Sequence, residues 1–107
     1  MLVMKFGGTS VGSGERVAGV AELVEARLAE EPFVVVSAMG GVTDALLDLS
    51  RAAREGDREA ASAALRTLGE KHHAAVEALD LGPAAEAAAR GEIEREVARL
   101  DGLATGV

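Results

Sequence analysis

Two short apolar runs and four stretches of helical periodicity divide the chain. Leu2-Val3-Met4-Lys5-Phe6 ends at Gly7-Gly8 and reads as a buried strand over residues 2–6. Across residues 15–30, Val17, Val20, Ala21, Val24 and Leu28 fall on one helical face. Ser13 is placed to cap that helix, Glu15 and Glu22 lie toward its positive end, and Pro32 closes it. Phe33-Val34-Val35-Val36 is the second apolar run. Its shortness and β-branched content predict a fully buried strand of the parallel-sheet kind over 33–37. Thr43 or Asp44 then caps a helix over 43–55 that carries Leu46, Leu47 and Leu49. Strand, loop, helix, strand, loop, helix is the order of a βαβ unit, with the strands adjacent and parallel and the crossover right-handed.

After Gly56 the pattern turns wholly helical. Asp57 caps a helix over 58–80 with Leu65, Leu68, His72, Val76 and Leu79 on one face. Gly82 ends it, and Pro83 opens the next helix, over 83–101, which carries Ile93, Val97, Leu100 and Leu103. No third strand follows, and two strands do not make a self-sufficient parallel sheet. The expected class is therefore α/β: residues 1–107 form an incomplete domain, with a βαβα part at 1–56 and a helical part at 57–107.

Composition narrows the picture. Apolar residues make up 49% of the 107 and aromatics only 2%, so the core is aliphatic and rich in alanine. There is no cysteine, which removes disulfides, thiolate metal sites and thiol nucleophiles. The net charge of −7 argues against nucleic acid and anionic membranes as partners. The N-terminus lacks the basic start and apolar core of a signal peptide, and no apolar run approaches the ~20 residues of a membrane span. A cytoplasmic location is the expectation.

The acidic balance means that any phosphate site must be built locally, and two loops have that character. In Lys5-Phe6-Gly7-Gly8-Thr9-Ser10, paired glycines let backbone N–H groups approach an anion, and Thr9 and Ser10 add hydroxyl donors. Lys5 is one of two lysines against nine arginines, and it interrupts an apolar strand. A lysine at a strand's carboxyl end suits phosphate as a point charge. The plain alternative is an edge-strand lysine before an ordinary turn. Neither the P-loop nor the dinucleotide glycine spacing is present. The second loop is Ser37-Ala38-Met39-Gly40-Gly41-Val42-Thr43-Asp44. Alone it reads as a simple strand-to-helix connection. Ligands collect at the carboxyl ends of strands in open α/β sheets, so two such loops at neighbouring strands make a better anion site than either by itself.

Lys5-Phe6-Gly7-Gly8-Thr9-Ser10-Val11 resembles the opening of the aspartate kinases, and residues 34–44 are similar to that family's second motif. The resemblance implies a partial three-layer αβα sandwich of the amino-acid kinase type. It implies transfer of the ATP γ-phosphoryl group to the β-carboxylate of L-aspartate, the first step toward lysine, threonine and methionine. Lys5 would be catalytic, neutralising charge on the transferring group. Gly7, Gly8, Thr9, Ser10 and Ser37 would hold phosphate, while Gly41, Val42, Thr43 and Asp44 would lie at the aspartate. Mg²⁺ is implied with ATP, but no residue here is identifiable as its ligand. The full-length enzyme is implied to be a homo-oligomer. The family's further substrate contacts are not found among these residues, so this stretch alone is expected to be inactive. Another amino-acid kinase, such as acetylglutamate kinase, and a non-catalytic helical interaction module are the alternatives.

His72 and His73 point about 100° apart on a helix and do not chelate together. His72 reads as part of the core stripe and His73 as solvated. Glu92, Glu94 and Glu96, among Arg90, Arg95 and Arg99, read as a salt-bridged surface.

Overall fold

The computed structural model describes residues 1–106 and places them in two compact units, Met1–Gly40 and a second that begins at Gly41.

In the first unit, strand β1 (Val3–Phe6) pairs in parallel with β2 (Phe33–Val36), in a register that sets Val3 against Phe33 and Phe6 against Val36. The ladder is extended by Phe33 N–H donating to Leu2 C=O at 2.7 Å and Ser37 N–H to Phe6 C=O at 3.1 Å. Helix α1 (Gly14–Glu25) connects the strands, and the Ser13 hydroxyl accepts from Arg16 N–H as expected of its cap. Phe6, Val11 and Val20 form a small buried cluster with Met4, Val17 and Val24 against it. The helix stops short of the expected residue 30. A 3-10 turn at Leu28–Glu30 follows, and Glu31 enters the left-handed region with φ 50°. Pro32 disfavours the right-handed helical conformation at Glu31, so the chain tightens and turns before β2, leaving Leu28 exposed.

The expected full burial of β2 is overturned. All four of its residues are exposed, Phe33 at 60% and Val36 at 57%. A β-branched run is buried on both faces only when helices or further strands cover both. Among the described residues, helix α1 and the 7–14 loop supply only the small cluster around Phe6.

The second unit is helical: α2 (Val42–Glu55), α3 (Arg58–Leu79) and α4 (Pro83–Thr105). Its buried residues are Val42, Ala45, Leu49 and Ala52 of α2, and Ala61, Ala64, Leu65, Leu68, Ala75 and Val76 of α3. Alanines recur at the contacts, so helices approach closely with little area buried per residue. Gly56, with φ 70°, ends α2, and Asp57 begins α3 directly by accepting from Ala60 N–H at 3.0 Å. Asp57→Ala is expected to destabilise this unit by about 1 kcal/mol, read by thermal unfolding; no measurable change would deny the cap a role. At the other end, α3 stops at Asp80 in the left-handed region rather than at Gly82, which instead precedes Pro83 as the cap of α4. Asp80 does the work expected of the glycine, because short polar side chains tolerate that conformation.

His72 is half-buried and its Nδ1–H donates to Leu68 C=O at 2.7 Å, in keeping with a place on the core stripe. His73 is not freely solvated: its Nδ1 accepts from Arg90 Nη1 of α4 at 2.9 Å. Helix packing brings these two together across a gap in sequence that periodicity alone does not bridge. The surface of α4 carries the expected ion pairs Glu92–Arg95 and Glu96–Arg99, while Arg90 pairs with Glu86. All are exposed or partly so and contribute little to stability. No helix among the described residues is long and apolar enough to cross a membrane.

Candidate functional site

Both glycine-rich loops leave the carboxyl ends of their strands, and within the first unit they touch. A Cβ on Gly40 would lie 3.3 Å from the Gly12 carbonyl oxygen, and one on Gly8 would lie 3.7 Å from the Ala38 carbonyl oxygen. The first loop is drawn tight by Ser10 N–H and Val11 N–H, which both donate to Gly7 C=O at 3.0 and 3.3 Å. That leaves the N–H groups of Gly8 and Thr9 without a protein acceptor among the described residues. Gly7, Gly8, Thr9 and Ser10 are all exposed.

Lys5 is exposed and pairs with Val35 in the ladder, one residue before each strand's end. It makes no ion pair among the described residues, so its charge is available to an incoming anion. Ser37 is exposed at the end of β2, next to the Phe6 carbonyl that receives its N–H. The structure thus brings Lys5, Gly7, Gly8, Thr9, Ser10 and Ser37 to one end of a two-stranded sheet.

Gly41, Val42, Thr43 and Asp44 belong to the second unit, at the start of α2. The expected cap by Thr43 or Asp44 is not formed. Gly41 itself is the N-cap, at φ 80°, and no side chain caps the helix. Glycine reaches that left-handed backbone without penalty, so the helix starts one residue earlier and Thr43 and Asp44 lie inside its first turn. Thr43 and Asp44 are exposed while Val42 is buried, which fixes the turn in place.

Periodicity and motif spacing missed one residue here. Lys71 of α3 reaches across to the start of α2: a Cβ on Gly41 would lie 2.9 Å from its Nζ and 3.0 Å from its Cε. Its only sequence signal is rarity, as the second of two lysines.

Residues 1–101 match the model of the amino acid kinase family. The chain belongs to the amino acid kinase family. It is 47% identical over 70 residues to a carrot (Daucus carota) chloroplastic bifunctional aspartokinase/homoserine dehydrogenase, covering 65% of this chain and 8% of that protein. It is 53% identical over 53 residues to an aspartokinase of Bacillus sp. (strain MGA3), covering 48% of this chain and 13% of the relative. It is also 41% identical over 85 residues to an aspartokinase of Chlamydia muridarum, covering 79% of this chain and 18% of the relative. The chain therefore spans less than a fifth of these relatives. For an amino acid kinase, the short parallel pair followed by helices is part of an α/β fold.

Mg²⁺ accompanies ATP in kinases, commonly on one or two carboxylates together with the nucleotide's phosphates. Among the described residues no three Asp, Glu or His side chains converge. No step of the chemistry is assigned to a metal held by this stretch.

Proposed function

We propose that this stretch supplies the phosphate-binding and part of the amino-acid-binding surface of an enzyme that transfers the γ-phosphoryl group of ATP to the β-carboxylate of L-aspartate, giving 4-phospho-L-aspartate. The observation that carries the reading is the meeting of two glycine-rich loops at the carboxyl ends of adjacent parallel strands, with a lysine at that end that makes no ion pair among the described residues. The aspartokinase names of the relatives supply the acceptor.

In this reading the β-carboxylate attacks the γ-phosphorus directly, and the bond to the β,γ-bridging oxygen breaks as ADP leaves. Lys5 neutralises charge that accumulates on the transferring oxygens, and the Gly7, Gly8 and Thr9 amides and the Ser10 and Ser37 hydroxyls hold phosphate in line. Thr43 donates to the amino acid, with Gly41, Val42 and Asp44 shaping its seat. Catalysis of this kind rests on positioning and fixed charges rather than on a covalent intermediate. The whole enzyme works as a cytoplasmic homo-oligomer, and these 107 residues are not sufficient for turnover.

The test is an assay of the full-length protein with ATP and L-aspartate, trapping the acyl phosphate with hydroxylamine. Thr43→Ala is expected to raise the KM for aspartate about tenfold with little change in the KM for ATP, the loss expected of one hydrogen bond to a charged group. Alanine is a better helix former than threonine, so the first turn of α2 survives the change. An unchanged aspartate KM would remove Thr43 from the site. Turnover with N-acetylglutamate in place of aspartate would move the protein to another branch of the family.

A further inference from the structure

Gly12 and Gly40 are glycines for a reason other than backbone conformation. Among the described residues the glycines with positive φ are Gly41 and Gly56, so the backbone at 12 and 40 is one that any residue adopts. What excludes a side chain is the space beside them. A Cβ on Gly40 would meet the Gly12 carbonyl oxygen at 3.3 Å and the Gly12 Cα at 3.8 Å. A Cβ on Gly12 would meet the Gly8 and Thr9 carbonyl oxygens at 3.3 and 3.4 Å. At such distances the neighbour must give by a few tenths of an ångström, and these neighbours are main chain, with no flexible tip to swing aside. Elsewhere in the same loops a methyl fits: nothing lies within 4 Å beside Gly7, and the Ala38 carbonyl oxygen beside Gly8 is at 3.7 Å. The tight approach is confined to the joint between Gly12 and Gly40.

Neither loop has slack to absorb an added group. The first is anchored by Val11, 4% exposed in the cluster with Phe6 and Val20, and closed by the Ser10, Val11 and Gly12 N–H groups donating to Gly7 and Thr9 C=O. The second leaves β2 at Ser37, whose N–H donates to Phe6 C=O. A methyl between the loops therefore pushes one away from the other. The phosphate donors stand on both sides of the joint, the Gly8 and Thr9 amides on the first loop and the Ser37 hydroxyl on the second.

We infer that Gly40, seated against Gly12, sets the gap between the two loops and is a positioning residue for phosphoryl transfer. It acts through the loop it faces and not on the nucleotide. The inference rests on the reading of these loops as the seat of the ATP phosphates.

The experiment uses the full-length protein, with ATP and aspartate varied independently and a thermal melt beside each set. The variants are Gly40→Ala, Gly40→Val, Gly12→Ala and Gly19→Ala. Gly19 is exposed on α1 with nothing within 4 Å, so Gly19→Ala controls for an added methyl and keeps wild-type kinetics. The expected result is a kcat/KM for ATP lowered about tenfold in Gly40→Ala and about a hundredfold in Gly40→Val, whose branched side chain needs more room. The KM for aspartate stays within about twofold of wild type. Gly12→Ala loads the same joint from the other side and is expected to lose kcat/KM for ATP in the same selective way; with Gly40→Ala it decides the matter if Gly40→Val fails to fold. An unchanged kcat/KM for ATP in Gly40→Ala overturns the inference and leaves the kinase reading standing. A KM for aspartate raised as much as that for ATP, or losses that track a lowered melting temperature, overturn it in favour of a structural role. A wild-type protein that does not phosphorylate aspartate overturns the reading beneath it, and the inference falls with it.

Discussion

Replacing Lys5 with alanine in the full-length protein is expected to lower kcat by about 10²–10³-fold, with a much smaller change in either KM. The magnitude is that of removing one fixed stabiliser of transition-state charge. The direction follows from timing: negative charge on the phosphoryl oxygens is redistributed as the bond to ADP breaks, so the ammonium does more for the transition state than for bound ATP. The fold is not at risk, because Lys5 is exposed and its ladder bonds to β2 run through the backbone. Steady-state kinetics beside a circular dichroism spectrum decide it. Turnover within threefold of wild type would reduce Lys5 to an edge-strand lysine.

Leu68→Ala is expected to cost about 2–4 kcal/mol of stability, the largest structural effect of any single change in the helical unit. Leu68 is 3% exposed, the most buried large side chain of α3. Alanine there removes apolar contact and leaves a void that stiff helices cannot close. The core around it is mostly alanine, so few large side chains are at hand to fill the space. Leu103, 65% exposed on α4, is the internal control: its alanine variant should change stability by about 0.5 kcal/mol or less. Denaturant melts of the two variants beside wild type make the comparison. Equal, small losses would mean that Leu68 is not part of a cooperative core.

What the sequence made readable follows from how local each signal is. The strands were legible because Phe33-Val34-Val35-Val36 and the run into Gly7-Gly8 are short, apolar and bounded by breakers. The Ser13 and Asp57 caps were legible because each acts within three residues. The end of α1 was not, since Ala26, Arg27, Leu28, Ala29 and Glu30 after it are all good helix formers and no local breaker marks the stop. The start of α2 was misplaced because two ordinary cap formers, Thr43 and Asp44, were outcompeted by a glycine that takes the left-handed turn without cost. Burial of β2 was misjudged because hydrophobicity says what a strand can bury and not what is present to cover it.

The candidate site divides in the same way. Lys5, the glycines and Ser37 announce themselves through composition at strand ends, where backbone donors are already oriented. Lys71 and the Arg90–His73 contact depend on how α3 meets its neighbours, and no spacing along the chain encodes either.

The tight joint at Gly56 and Asp57 also bears on the order in which the molecule assembles. Helix α2 passes into α3 through two residues, and α3 into α4 through three, so the helical unit is built from contacts between chain neighbours. Such hairpins form on the microsecond-to-millisecond scale. Val3 and Phe33, by contrast, are about thirty residues apart and must search for one another across a whole helix before a parallel ladder repays the closure entropy. The two strands leave the ribosome before the three long helices that follow them, yet those helices are free to settle sooner. The phosphate end is then the slower of the two units to assemble.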